Sequence, residues 1–172
     1  ALTTEARCGT DLENAESIAL RSAEHTRAAV GNHHVATVGA WDVLSRVYEA
    51  RGDEDLALES RRVWLESWIG YVETQGPTPD ALNQIAWFLL TADHEPLRDP
   101  ERSVELARRA VELSDRREPS VLDTLARALH AVGDTASALV EQRAAIALVS
   151  DDDPSRGDYE AFLEELEKHD VD

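Results

Sequence analysis

The stretch that decides the fold runs from Pro119 to Val149 and reads PSVLDTLARALHAVGDTASALVEQRAAIALV. Apolar residues recur in its first half at the i, i+3, i+4, i+7 spacing of one helix face, at Leu122, Leu125, Ala126 and Leu129. Gly133-Asp134 then interrupts the pattern where a turn needs a permissive backbone, and a second apolar stripe follows. The stretch predicts two short helices joined by a tight turn. Such a hairpin cannot bury its apolar stripe alone, so we expect similar hairpins beside it.

Two earlier stretches carry the same pattern. Their first helices have apolar or small residues at the matching positions, which are Trp41, Leu44, Ser45 and Tyr48 in one and Leu82, Ile85, Ala86 and Leu89 in the other. The matching pairs on the three second helices are Ala57 and Trp64, Ser103 and Ala110, and Ala138 and Ala145. The spacing predicts three helical hairpins over residues 38–76, 79–116 and 119–152, in which large residues of the first helices fill gaps between small residues of the second helices.

These hairpins resemble the tetratricopeptide repeat, in which Trp/Leu-x-x-Leu-Gly/Ala-x-x-Tyr/Leu precedes a Gly-Asp turn and a second helix with small residues. The turn is Gly52-Asp53 in the first hairpin and Gly133-Asp134 in the third, whereas the second has a longer connection. Trp64 stands where the family usually has a small residue. The resemblance implies an all-α fold: a right-handed superhelical stack of antiparallel helix pairs. The residues around Asn83, Trp87 and Asp123 are also similar to repeat tails of larger bacterial multidomain proteins.

We expect one more helix on each side of the hairpins, so that residues 1–172 form a single helical domain. Residues 11–31 have helical apolar spacing that Gly31 ends, which predicts an N-terminal helix. Residues 158–169 place Tyr159 and Phe162 on one face and glutamates on the other, as is typical of a helix that caps a solenoid. We expect Asp158 to be the N-cap of this last helix.

The charge of the chain excludes several kinds of partner. The formal net charge is −18, and residues 151–172 alone contain ten acidic and two basic residues. Such a chain repels nucleic acid and anionic lipid. No apolar run approaches the ~18 residues that a membrane span needs. We therefore expect no nucleic-acid partner and no membrane insertion. The acidic end is interpreted as a solvated helix face, with an acidic docking segment for a basic partner as the alternative.

The beginning of the sequence bears on the origin of the chain. The chain starts with Ala1 and has no methionine, which indicates either a processed protein or, as we favour, a piece of a longer one. We expect a cytoplasmic location, and a periplasmic or exported one stays open because of this N-terminus.

Sequence motifs for catalysis and metal binding are missing. The chain has no HExxH, no Gly-x-Ser-x-Gly, no glycine-rich phosphate loop, and one cysteine, Cys8. The best cluster is Asp93-His94-Glu95 in the long connection of the second hairpin, and a hydrolase-like site there is the weakest alternative. We therefore expect no enzymatic activity, no catalytic residue, no metal and no cofactor.

A binding groove is the favoured site. In stacked hairpins the first helices line the concave face, and residues spaced by four and three fall on one stripe of each helix. These residues are Asp42, Arg46 and Glu49 in the first hairpin, Asn83, Trp87 and Leu90 in the second, and Asp123, Arg127 and His130 in the third. Their amide, guanidinium and indole groups suit an extended peptide.

Two alternatives exist for residues of this groove. Asn83 and Asp123 could instead hydrogen-bond between neighbouring first helices, and Trp87 could be buried beneath Leu122. Some members of the resembled family hold a C-terminal carboxylate in the groove, but Asp42 and Asp123 would oppose an anion.

The sequence thus predicts a non-catalytic module that binds a protein or peptide. The alternative function is a structural spacer or self-association unit of a larger bacterial enzyme or signalling protein. Trp64 and Trp68 lie one turn apart and share a helix face. We interpret them as core residues; as an exposed patch they would instead support a homo-oligomer.

Overall fold

The computed structural model of the protein describes residues 4–169, with side chains from Asp11 to Lys168. Its α-helices are α1 (Thr4–Val30), α2 (Val35–Arg51), α3 (Glu54–Gln75), α4 (Pro79–Thr91), α5 (Pro100–Leu113), α6 (Pro119–Ala131), α7 (Thr135–Leu148) and α8 (Arg156–His169). A short 3₁₀ helix, Glu95–Leu97, lies between α4 and α5. No strand occurs among these described residues, so the predicted all-α class is confirmed.

The helices form two compact bodies, an N-terminal body up to Gly76 and a C-terminal body from Pro77 onward. In the N-terminal body, α2 packs against both α1 and α3. In the C-terminal body each helix packs against the next one along the chain, and α4 also contacts α6. Packing between consecutive helices follows the expectation from the apolar spacing.

The second helix of each predicted hairpin begins directly after an aspartate, namely Asp53, Asp99 or Asp134. The Asp99 Oδ1 accepts a hydrogen bond from the backbone N–H of Arg102 at 2.9 Å, and the Asp134 Oδ1 accepts one from Ser137 at 3.1 Å. These bonds satisfy backbone donors that have no partner within a first helical turn. The Gly-Asp signal therefore sets where α7 begins.

Two of the three first helices, α2 and α6, end in turns that need glycine. Gly52 has φ 76° and Gly133 has φ 85°, a left-handed conformation that side chains with a Cβ rarely adopt. The Gly52 N–H donates to the Glu49 carbonyl, and the Gly133 N–H donates to the His130 carbonyl at 2.9 Å. The chain reverses at both turns, which allows α2 to pack on α3 and α6 on α7.

The core of the C-terminal body pairs large residues of the first helices with small residues of the second. The fully buried large residues include Leu82, Ile85, Leu122, Leu129 and Leu166. The facing small residues Ser103, Ala107, Ala110, Ala138 and Ala145 have no exposed surface. The Ser103 hydroxyl donates to the carbonyl of Ala86 at 2.8 Å, so its one polar group is satisfied in the core.

Two helix starts differ from the sequence prediction. Helix α1 begins at Thr4 rather than residue 11, because no proline precedes that point and a single Gly9 costs a helix only about 1 kcal/mol. Helix α8 begins at Arg156, so Asp158 lies in its first turn and is not the N-cap. Asp153 instead accepts the backbone N–H of Ser155 at 2.8 Å and positions the start of the helix.

The two tryptophans proposed for self-association are buried. Trp64 is 7% exposed and Trp68 is 9% exposed, and their rings meet edge to face with centroids 6.3 Å apart. Trp68 makes a similar contact with Tyr71 at 5.5 Å. The alternative that Trp64 and Trp68 form an exposed aromatic patch is therefore wrong. Burial and edge-to-face packing within α3 leave little indole surface for another chain to contact.

No helix of the described chain is both long enough and apolar enough to cross a bilayer.

Candidate functional site

A groove lies between α4 and α6 on the surface of the C-terminal body. It contains a cavity of about 310 Å³, lined by Asn83, Gln84 and Trp87 of α4 and by Ser120, Asp123 and Thr124 of α6. Asn83 and Trp87 are one helical turn apart and therefore project from the same face of α4. Three residues predicted for the concave stripe thus line one cavity.

The Trp87 indole is the apolar part of this groove. The side chain is 41% exposed, so it is not buried beneath Leu122. The Arg127 guanidinium carbon lies 5.9 Å from the Trp87 ring centroid and 4.2 Å from that of Phe162. The arginine is therefore held between an aromatic ring of α4 and one of α8 by cation–π attraction.

Asp123 forms the polar floor of the groove. Its side chain is buried; Oδ2 accepts from the Arg127 Nε at 2.9 Å, and Oδ1 accepts from the Gln142 Nε2 at 3.0 Å. Neither oxygen bonds to α4, so the alternative of an Asn83–Asp123 hydrogen bond is not what the structure contains. Because Asp123 already neutralises Arg127, a ligand carboxylate would have to displace it, which disfavours a carboxylate clamp.

Asn83 has an unused hydrogen-bond acceptor. Its Oδ1 atom is buried and has no hydrogen-bond partner in the described part of the chain. A buried polar atom without a partner costs about 1–3 kcal/mol. Because the Asn83 side chain lines the cavity, a rotation of its amide group would present this oxygen to a donor from another molecule.

The last two predicted residues of the C-terminal body lie outside the cavity. The His130 Nδ1 is 3.3 Å from the Thr135 hydroxyl, and its ring meets Phe162 edge to face at 5.9 Å. Leu90 is half-buried. Both lie on the predicted helix stripes, but His130 contacts α8 instead of the groove.

The three predicted residues of α2 belong to a charged cluster of the N-terminal body. Arg61 of α3 donates to the Asp42 Oδ1 at 2.8 Å and to the Glu49 Oε1 at 3.0 Å. Arg46 is exposed, with its guanidinium 3.6 Å from Asp42. Both carboxylates are thus engaged within the chain, and Arg46 is the accessible member of the set.

The sequence did not indicate that three residues belong to these clusters: Arg61, Gln142 and Phe162. Arg61 and Gln142 are each the eighth residue of a second helix, so aligning the hairpins by helix position could have found them. Phe162 was assigned to the apolar face of α8, and apolar spacing alone does not indicate that it covers Arg127.

Burial changes the acidity of one neighbour of the groove. The Tyr159 side chain is buried, and its backbone carbonyl accepts from the Gln142 Nε2 at 2.9 Å. Burial raises the pKa of the Tyr159 phenol above its usual 10, and the nearby Asp123 carboxylate adds to this. Tyr159 is therefore a neutral packing residue beneath Asp123 at ordinary pH.

Among the side chains that the structure describes, no three His, Cys, Asp or Glu residues come together as metal ligands would. No protein-family model matches the chain, and no curated protein shows significant similarity to it.

Proposed function

We propose that the chain is a non-catalytic interaction module that binds an extended segment of a partner polypeptide in the groove between α4 and α6. The observation that carries this proposal is that one cavity is lined by an exposed indole, Trp87, and by Asn83, whose buried oxygen has no partner within the described ranges of the chain. An enzyme site, a cofactor and a nucleic-acid partner are not part of the proposal. The net charge of −18 opposes nucleic acid.

The two groups match the two parts of a peptide. An indole gives a large, rigid apolar surface on which an aliphatic or aromatic side chain can pack. The Asn83 oxygen can accept a backbone N–H from an extended chain. Such a bond would offset the cost of a buried acceptor that has no partner in the free protein.

The proposed architecture is a tetratricopeptide-like right-handed stack whose first helices line the groove. The contact of α4 with α6, two helices further along, supports it, since repeat proteins stack equivalent helices of neighbouring hairpins. The small buried residues of α5 and α7 support it too.

The test is selection from a random peptide library displayed on phage, using the whole chain as bait. We expect sequences to be enriched by the parent chain and lost with Trp87→Ala and with Asn83→Leu. Matched controls are Leu113→Ala, a comparably exposed apolar residue at 47%, and Asn14→Leu, an exposed amide on α1. Enrichment that survives both groove variants would reject the groove as the binding site.

The alternative function was a spacer or self-association unit that packs through Trp64 and Trp68. Both indoles are buried, and their burial removes the support for that alternative. We therefore place partner binding first.

A further inference from the structure

Equivalent positions of the three hairpins explain why the Asn83 oxygen has no partner. The eighth residue of α3 is Arg61, which donates to Asp42 at 2.8 Å, and the eighth residue of α7 is Gln142, which donates to Asp123 at 3.0 Å. In both hairpins a second-helix donor reaches the polar residue at the same place on the first helix. The first and third hairpins thus share an internal hydrogen bond from the second helix to the first helix.

The second hairpin lacks the donor. The eighth residue of α5 is Ala107, which is fully buried and has no polar side-chain atom. Asn83 occupies the first-helix position that corresponds to Asp42 and Asp123, so its Oδ1 is left without the bond that the other two make. The second hairpin therefore has an acceptor for which the residues that the structure describes supply no donor.

The net charge of the C-terminal body favours a cationic ligand. The Arg127 guanidinium is already bound to Asp123 and lies over the Phe162 and Trp87 rings. From Pro77 onward the chain has 22 acidic and ten basic residues, a net charge of −12. A negative body of this kind attracts basic segments and raises their association rate.

From these observations we infer that the groove between α4 and α6 selects a basic polypeptide segment. A backbone or side-chain N–H of the segment donates to the Asn83 Oδ1. The apolar stem of an arginine or lysine side chain packs on the exposed part of the Trp87 ring, with its charged end directed away from Arg127, which already lies 5.9 Å from that ring. This inference rests on the proposed function and adds the charge class of the partner to it.

The closing experiment reads the charge of the peptides that the phage selection enriches. We expect their mean net charge to be more positive than that of the unselected library. A synthetic peptide from the enriched pool is then titrated against the chain by fluorescence anisotropy. We expect its affinity to fall at least tenfold between 50 and 500 mM salt, because attraction between exposed charges is screened.

A variant that supplies the missing donor tests the role of Asn83. Ala107→Gln copies the arrangement of Gln142, and we expect it to weaken peptide binding about fivefold by occupying the Asn83 oxygen internally. Because Ala107 is fully buried, circular dichroism must show that the variant folds. Asn83→Ala, which removes the acceptor without adding volume, is the second variant and is expected to act in the same direction.

The possible outcomes separate the two proposals. A neutral or acidic pool that still depends on Trp87 and Asn83 overturns the basic partner and leaves the groove as a peptide site. A basic pool that binds equally well to Asn83→Ala overturns the donor to Asn83. A selection with no sequence that depends on Trp87 and Asn83 overturns both the inference and the proposed function.

Discussion

Replacing Gln142 with leucine tests whether the floor of the groove is held by a buried polar network. Gln142 is fully buried on α7 and its Nε2 donates both to the Asp123 carboxylate at 3.0 Å and to the Tyr159 carbonyl at 2.9 Å. Leucine has a similar volume, so the substitution removes the two hydrogen bonds while creating little empty space.

The expected loss of unfolding free energy follows from the hydrogen bonds that the substitution removes. Losing a hydrogen bond to a charged group costs about 2 kcal/mol, and losing one to a neutral carbonyl costs about 1 kcal/mol. The Oε1 of Gln142 has no hydrogen-bond partner among the described residues, so its removal recovers about 1 kcal/mol of that loss. We expect Gln142→Leu to lower the free energy of unfolding by about 2 kcal/mol.

Urea unfolding followed by far-UV circular dichroism measures this change. We expect a lower midpoint with an unchanged slope, which indicates lost stability rather than a different unfolded state. Gln75→Leu is the matched control, because Gln75 is exposed at the end of α3, and it should change the free energy by less than about 0.5 kcal/mol. Equal effects of the two substitutions would refute the network.

A double-mutant cycle tests whether the loss of stability comes from the hydrogen bond between Gln142 and Asp123. With Asp123→Ala in the same background, Gln142→Leu should cost at least about 1 kcal/mol less than it does alone, since residues in one network couple. Additive effects would show that the Gln142–Asp123 bond contributes nothing to stability, and the account of the groove floor would then be mistaken.

Three further predictions concern single residues. Asp99→Ala should destabilise the fold by about 1 kcal/mol in urea unfolding, because it removes the N-cap hydrogen bond from the Arg102 N–H. Asp99→Asn can still accept this bond and should leave the stability nearly unchanged. Equal losses in the two variants would contradict the role of Asp99 as an N-cap. Leu129→Ala should lower the free energy of unfolding by about 3 kcal/mol in the same assay, because Leu129 is fully buried. Leu113→Ala, at a side chain that is 47% exposed, should lower it by less than about 0.5 kcal/mol. Similar values for the two variants would contradict the assigned core. Burial raises the pKa of the Tyr159 phenol in the folded chain, so the stability that the neutral phenol contributes is complete below pH about 10 and is lost as the pH rises further. Tyr159→Phe should therefore reduce the fall in the free energy of unfolding at alkaline pH. An unchanged pH profile of stability would contradict this prediction.

The helices could be predicted from the sequence because their signals are local. Leucines and alanines at i, i+3, i+4 and i+7 gave α4 and α6, and Gly133-Asp134 gave the turn before α7. The start of α8 was wrong because two aspartates compete there: Asp153 makes the bonds at the helix start, and Asp158 falls inside the first turn. Local residue preferences do not decide between neighbouring candidates.

For the groove, the sequence could predict only which helix face each side chain projects from. Helix spacing placed Asn83, Trp87 and Asp123 on inward stripes, and all three line the cavity. It could not show that Arg127 is already bound to Asp123, because that depends on a distance between side chains. The same spacing put Trp64 and Trp68 on one face without indicating whether that face is covered.

Helix α8 has a consequence for how the molecule can be lengthened. Tyr159, Phe162, Leu163 and Leu166 repeat the spacing of the first helices, and Phe162 meets Arg127 and His130 of α6. Helix α8 thus resembles the first half of a hairpin in its apolar spacing, and it packs against α7. A duplicate of residues 119–152 inserted ahead of α8 should present α8 with the same contacts, so the C-terminal body could be lengthened by one hairpin at a time.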